Sequence, residues 1–403
     1  QLCIAWAAKK VGQTVRWQQE RTDSYLSDLH GRDNRTKARA AVDERGKILA
    51  LDVIVHANMG AWLSNFSIYI PTLSACRTLT GPYDIAVAGM EVRGIVTNTP
   101  AVDAFRGAGR PEANYLLERL IDHIAHVMGM DRVGVRQVNL IKPEQIPYQM
   151  VEGGTVDSGD MPGLLAEAME KADWLGFDAR RKISVEQGKW RGIGLSMYLE
   201  QCGGGSGATV DIEFHKDGTA TVYAPQQDNG QAHRTTLTQI FSGKLGYDAE
   251  LINIVQGDSL RTPPGTTGGA RMSAVLGSTL MQAAGMIAEQ ALPFAAEHLQ
   301  AEINDIQFAE GIFTAAGTNQ SVTIEDLVRL IATDDPSQHP LNRVHDYTTD
   351  GATYPYGCHI VEIEVDQQTY RAEIVNYTVV DDFGEIINPL TLEGQIHGGI
   401  AQG

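Results

Sequence analysis

Three times along the chain, a run of alternating apolar and polar residues meets a polar turn and then alternates again. The first is ARAAVDERGKILALDVIVHANMG, turning at Asp43-Glu44-Arg45-Gly46. The second is ATVDIEFHKDGTATVYAP, turning at Lys216-Asp217-Gly218, and the third is CHIVEIEVDQQTYRAEIVNYTVV. A period of two sends neighbouring side chains to opposite faces, and glycine supplies the backbone of a tight turn. Each run therefore predicts a hairpin with one buried and one wet face. In the third, Ile360, Glu362 and Glu364 alternate with Val361, Ile363 and Val365, and the two carboxylates read as a solvated strand face rather than an acid–base pair. Residues 14–21, TVRWQQER, read as a further strand.

Between the hairpins the period changes. Over 111–128 the apolar residues Ala113, Leu116, Leu117, Leu120, Ile121, Ile124 and Met128 recur at helical spacing, with Pro111 suited to the first turn and Gly129 to the stop. Further helices are expected over 161–174, 234–245, 273–300 and 324–331. Strands and helices intermixed without a fixed short repeat predict an α+β (mixed α/β) fold of two elongated domains built from strands, hairpins and packed helices. A length of 403 residues fits more than one domain. The stretch KPEQIPYQMVEGGTVDSGDMP, rich in proline and glycine, marks the clearest boundary. The expected division is a first domain over 1–145, a linker and helix over 146–185, and a second domain over 186–403.

Charge narrows the function. Lys and Arg total 32 against 50 for Asp and Glu, a formal charge of −18, which disfavours nucleic acid and anionic membrane surfaces as partners. No apolar run is long enough for a membrane-spanning helix. Cys3, Cys76, Cys202 and Cys358 are too far apart to form a CxxC pair, and four thiols of this kind fit a reducing cytoplasm. The chain opens QLCIAWAAKK and stops at GGIAQG inside a glycine-rich stretch, so it reads as a piece of a longer polypeptide.

The glycines, 42 in all, gather in loops that run into helices. Residues 106–110 precede the 111–128 helix, 229–232 precede the 234–245 helix, and 264–270 precede the 273–300 helix. A fourth glycine-rich loop is expected at 393–399. A helix N-terminus offers unpaired N–H groups and the positive end of its dipole, and glycine lets a ligand approach the main chain. Such loops either cradle an anion or serve as packing turns. None carries the GKS or GKT of a phosphate-binding P-loop, and none reads GxGxxG after a clear strand. His233 and His397 lie in or beside these loops, His233 reading as a water-exposed residue at a helix start. Gly203–Gly205 form one more close-approach loop or a flexible turn.

At these same loops the sequence resembles the large subunits of the molybdenum hydroxylases, the family of xanthine dehydrogenase, aldehyde oxidoreductase and aerobic carbon monoxide dehydrogenase. AFRGAGRPEA resembles the family's arginine loop, NGQAHRTTLTQIFSGKLG its GQG loop, HGRDNRTKARAAVDERGKILAL its early hairpin, and VVDDFGEIINPLTLEGQIHGGIAQG its late signature. The likeness runs in order along nearly the whole chain.

The resemblance implies a molybdenum–pyranopterin cofactor, in some members extended as a cytosine dinucleotide, and hydroxylation of a small-molecule substrate with oxygen derived from water. It implies iron–sulfur and FAD partner subunits in a dimer of heterotrimers. It places Phe105, Arg106 and Gly107 beside the metal centre, Gly230 and Gln231 on the pterin and its phosphate, Gly269 near the metal and Gln395 on the pterin. None of these is implied as a metal ligand. Copper-type members carry cysteine where this chain has Gly107. Ala232 stands for the third residue of GQG, and Ala270 and Met272 stand where serines are common. The early GGxFG loop is expected before Gln1 and the glutamate base after Gly403, leaving no catalytic residue, no bound cofactor and no turnover in the fragment. The alternative reading is a non-catalytic homologue acting as an assembly or interaction subunit.

Overall fold

Alternation becomes a hairpin where the first run placed it. In the computed structural model, which describes residues 2–204 and 206–403, Asn34–Val42 pairs antiparallel with Ile48–Gly60. The turn is held by the Asp43 carboxylate, which accepts the amides of Arg45 and Lys47 at 2.9 Å each, while Gly46 takes φ +84°. Ala88–Val96 adds to the other side of Ile48–Gly60 in parallel. Leu51, Val53, Val55 and Ala57 are buried, the inward set that a period of two requires, and Ile48, beyond a register shift, is buried as well.

The chain packs as two units. The first comprises the chain up to Gly154 together with Ser158–Glu200 and Gly357–Val380. Its helix Arg110–Met128 buries Ala113, Leu117, Ile121 and Ile124 and ends at Gly129, which is left-handed at φ +66°. Beside it, helix Arg132–Asn139 carries Arg136, whose side chain is wholly buried. Arg136 donates to Glu118 Oε2 from Nε at 3.0 Å and from Nη2 at 2.9 Å, and to Asp122 from Nη1 at 2.8 Å. Glu118 also accepts the Tyr83 hydroxyl at 2.5 Å and the Met197 amide at 2.9 Å, so this buried charge pair has its hydrogen bonds filled.

The third hairpin joins this unit, with Tyr356–Asp366 between Ala372–Asp382 and Lys189–Leu199. Here the structure corrects the sequence reading. Glu362 and Glu364 share the inner face with Ile360, and Val361 and Ile363 face outward. Glu362 is 0% exposed and pairs with Arg180 and Arg191 at 2.6 Å each. Glu364 accepts from Ser184 at 2.6 Å and pairs with Lys189 at 2.7 Å. Their cations come from the Phe177–Glu186 helix and the neighbouring strand, an arrangement that a local pattern of charges does not reveal.

The second unit comprises Thr155–Asp157, Gln201–Tyr356 and Asp381–Gly403. Ile252–Gln256 lies parallel to Ala220–Ala224, which pairs antiparallel with Gly207–Phe214, and that strand with Arg343–Thr348. Helices His233–Leu245 and Ser278–Leu299 cover the sheet. Leu237, Phe241, Leu280 and Ile287 meet Val210, Ile212, Phe214 and Val222 in one core. Ala283, Ala284, Ala291 and Ala295, all buried, keep the longer helix slim on its packed side.

Two further expectations fail. Residues 14–20 form no strand and are followed by the helix Arg21–Ser27, because β propensity is realised only against a pairing partner. The glycine-rich stretch 393–399 is not a loop but the middle of the helix Pro389–Gln402. Asn388 caps that helix by accepting the Thr391 amide at 2.9 Å and Pro389 presets its first turn, offsetting part of a cost of roughly 1 kcal/mol per internal glycine.

Candidate functional site

In the first unit, residues 104–109 form a loop in which the four successive carbonyls over 105–108 are all engaged. Phe105 O accepts the Ala108 amide at 2.7 Å, and Gly107 O accepts Arg110 Nε at 2.9 Å. Arg106 O accepts Arg32 Nη2, and Ala108 O accepts the Ser74 hydroxyl. Gly107 and Gly109 take φ +91° and +94°. A Cβ at Gly109 would lie 2.3 Å from the Ile70 carbonyl oxygen, so glycine there is dictated by a close backbone approach. Phe105 is 44% exposed and Arg106 is also exposed, so the loop presents both outward from a tightly bonded main chain.

In the second unit the loops over 225–232 and 264–270 meet. Thr267 Oγ1 donates to Gln227 O at 2.6 Å, and the Gly203 amide donates to Gly269 O at 3.1 Å, drawing in the 201–204 segment. Gly203 and Gly204 are left-handed, and Gly205 lies outside the described residues. Gly230, at φ +101°, and Gly268 each have open space where a side chain would begin. Gln226 is buried, and its Oε1 has no hydrogen-bond partner.

The amides of the turn just before the His233–Leu245 helix are already taken. Asp228 Oδ1 accepts from Gly230 N at 2.8 Å and from Gln231 N at 3.1 Å, and Gln231 Oε1 accepts from Asn229 N at 2.6 Å. Burial pulls the Asp228 carboxyl upward, but the amides of Gly230, Arg234 and Gln231 and the neighbouring His233 outweigh it and hold it below the usual carboxylate value. His233, expected to face water, is 2% exposed and lies 3.4 Å from Gln256 Nε2, and burial lowers its pKa.

Each of the three loops also carries an alanine in the left-handed region: Ala108 at φ +47°, Ala232 at +61° and Ala270 at +48°. Such a backbone costs of order 1 kcal/mol or more per residue and collects at ligand-binding sites. Ala232 is thus a residue without glycine's freedom in a position that asks for it.

Phe105, Arg106 and Gly107 belong to the first unit, and Gly230, Gln231, Gly269 and Gln395 to the second. Gln395 is exposed on the Pro389–Gln402 helix, whose cap Asn388 donates to Gln239 Oε1 at 2.9 Å, tying that helix to His233–Leu245. Sequence reading missed Arg32, which acts across 74 positions, and Asp228, although an Asp two residues before a Gly is the ordinary signal of an Asx turn. None of the four cysteines forms a disulfide. Among the described residues, no helix is long and apolar enough to cross a membrane, and no three His, Cys, Asp or Glu side chains gather as a metal site.

Comparison with known proteins places the chain in a family. Residues 1–140 and 167–403 each match a family described as molybdopterin cofactor-binding domain. The carbon monoxide dehydrogenase large chain of Hydrogenophaga pseudoflava is 31% identical over 422 residues, an alignment covering 100% of this chain and 53% of that protein. The 6-hydroxypseudooxynicotine dehydrogenase complex subunit gamma of Paenarthrobacter nicotinovorans is 29% identical, over 99% of this chain and 51% of that protein. Quinoline 2-oxidoreductase from Pseudomonas putida 86 superposes with a TM-score of 0.89 at 25% identity, over 100% of this chain and 53% of that one. The chain spans about half the length of the relatives it matches. With both parts of its sequence matched and its α+β architecture shared, the chain belongs to the molybdopterin cofactor-binding domain family.

Proposed function

We propose that this chain is the cofactor-binding portion of a molybdenum-dependent hydroxylase or dehydrogenase, with one cofactor-binding domain over 1–145 and a second over 186–403. The substrate is an aldehyde, a purine or an N-heterocycle. Electrons pass to iron–sulfur and FAD subunits in a dimer of heterotrimers. The observation that carries this reading is the match of both parts of the chain to molybdopterin-binding domains, in order. The relatives' names support the finer points, since one acts on quinoline and another is the gamma subunit of a dehydrogenase complex.

The residues present suit such a group. Gly230 and Gly268 leave room for close approach, and the orphaned Gln226 Oε1 is a buried acceptor awaiting a donor. Phe105, Arg106, Gly107, Gly230, Gln231, Gly269 and Gln395 are the groups we assign to holding the cofactor. Gln231 offers the N–H groups of its side-chain Nε2, since its Oε1 is occupied by Asn229. Bound, the cofactor supplies two-electron redox chemistry and oxygen transfer. The chain's residues supply binding and orientation. A cytosine dinucleotide form of the pterin is part of the same proposal.

Copper has no place in it. Gly107 has no side chain, and a Cβ built there would fall 2.4 Å from Pro111 Cγ. The test is elemental analysis of the purified parent protein. Stoichiometric molybdenum is expected, and a folded, pure protein without molybdenum or pterin overturns the reading.

One observation favours a second reading, a non-catalytic homologue serving as an assembly subunit. Asp228 fills the amides that would meet a phosphate, and Ala270 and Met272 bring no hydroxyl. That reading predicts partner subunits bound by a protein devoid of pterin.

A further inference from the structure

Arg32 sits in an uncommon backbone state for its type. It is left-handed at φ +55°, between two residues whose main chains are pinned. On one side His30 N donates to Ala101 O at 3.1 Å, and His30 O accepts the Asp103 amide at 2.8 Å. On the other, Asp33 O accepts the Asn58 amide at 3.0 Å. Gly31 is squeezed against the loop, since a Cβ there would fall 2.5 Å from Phe105 Cβ. The chain therefore runs alongside the 101–107 segment with no room to move away.

The Arg32 side chain completes the contact. Its guanidinium carbon lies 4.7 Å from the centre of the Phe105 ring. Its Nη2 donates to the Arg106 carbonyl, and its Nε lies 3.7 Å from Glu112 Oε2, the same oxygen that accepts the Gly109 amide at 3.1 Å. One planar group thus meets a ring and a carbonyl of the loop and a carboxylate in the first turn of the helix that follows it, a combination that a lysine ammonium does not reproduce. Of the four successive carbonyls over 105–108, Arg106 O is bonded by a side chain from an element 74 positions away.

We propose that Arg32 is the positioning residue of this loop, fixing the direction in which Phe105 and Arg106 are presented. Its relevance to cofactor binding rests on the function proposed above. The energetic signature is a strained backbone retained for the sake of a side chain: the left-handed φ favours glycine, and the arginine stays because of what its guanidinium holds.

The experiment is amide hydrogen exchange on the intact protein, comparing wild type with Arg32→Gly and Arg32→Lys. Glycine suits the left-handed backbone, so Arg32→Gly keeps the fold while removing the clamp. Exchange at Ala108, Gly109 and Arg110 is expected to rise about tenfold, the loss of one charged hydrogen bond. The hairpin over 34–60 and the urea midpoint should hold. Arg32→Lys should leave the loop as loose as Arg32→Gly does, and added propylguanidinium should restore protection in Arg32→Gly. Wild-type exchange in the loop, a rise only in step with the hairpin, full protection in Arg32→Lys, or no recovery with propylguanidinium would each overturn the assignment. Molybdenum content of the wild type is read separately, so failure of the cofactor reading and failure of the clamp are distinguishable.

Discussion

Gly107 and Pro111 are in contact across the start of the arginine loop's helix: with Gly107 at φ +91°, the place of its Cβ lies 2.4 Å from Pro111 Cγ. Real Cβ atoms do not approach so closely, and the left-handed backbone adds its own penalty. Gly107→Cys is therefore expected to lower unfolding free energy by about 2–4 kcal/mol in urea titration, with Gly107→Ala close behind. The cysteine variant should gain no stoichiometric copper. A Gly107→Cys protein as stable as wild type would contradict the geometry.

The Asp228 carboxylate acts as a built-in anion at the start of the His233–Leu245 helix. Asp228→Ala frees two amides and removes a negative charge. Losing these two turn hydrogen bonds is expected to cost about 1 kcal/mol of stability. Inorganic phosphate should then protect the variant against urea more than it protects wild type, because the helix dipole no longer meets a carboxylate. Equal protection by phosphate in the two proteins would show that this loop is not an anion site even when unblocked.

Arg136 is buried with Glu118 on one side and Asp122 on the other. Glu118→Gln keeps the shape and removes the charge, leaving the guanidinium with a single anionic partner away from water. A loss of about 3–5 kcal/mol is expected. A change under about 1 kcal/mol, the scale of an exposed pair, would show that water reaches this site.

His339 is neutral by construction. Its Nε2–H donates to Val328 O at 3.0 Å, and its Nδ1 accepts the Leu341 amide at 3.1 Å, a role that a protonated ring cannot fill. Burial, with His215 nearby, holds its pKa below the ordinary 6.5 despite the Val328 bond. The unfolded chain then binds more protons than the native one below that value, so stability is present above pH 6.5 and falls as the pH drops. His339→Gln should flatten the pH dependence of the urea midpoint between neutral and mildly acidic pH. An unchanged slope would assign that dependence elsewhere.

The parts of the fold legible in the sequence are those with a local cause. The Asp43–Gly46 turn and the stripe Ala113, Leu117, Ile121 and Ile124 are written in neighbouring residues and formed as expected. What was not legible depends on residues far apart. Glu362 reads as a wet residue until Arg180, 182 positions earlier, and Arg191 close round it. The tie between Arg32 and Arg106 is equally silent in the sequence. The helix Pro389–Gln402 was hidden for a different reason: its glycines suggest a loop, while the signal that starts it, the cap at Asn388 followed by Pro389, lies outside them. Strand propensity at 14–20 came to nothing for want of a partner.

The central claim is that this chain holds a molybdenum–pterin group through the residues assigned above. An experimental structure of the parent protein with its cofactor bound tests this most directly. The account predicts pterin and phosphate density within hydrogen-bonding reach of the Phe105–Gly107 main chain and of Gly230 and Gln231. Cofactor density lying away from these loops, with Asp228 and Arg32 undisturbed in a protein that turns over, would contradict it.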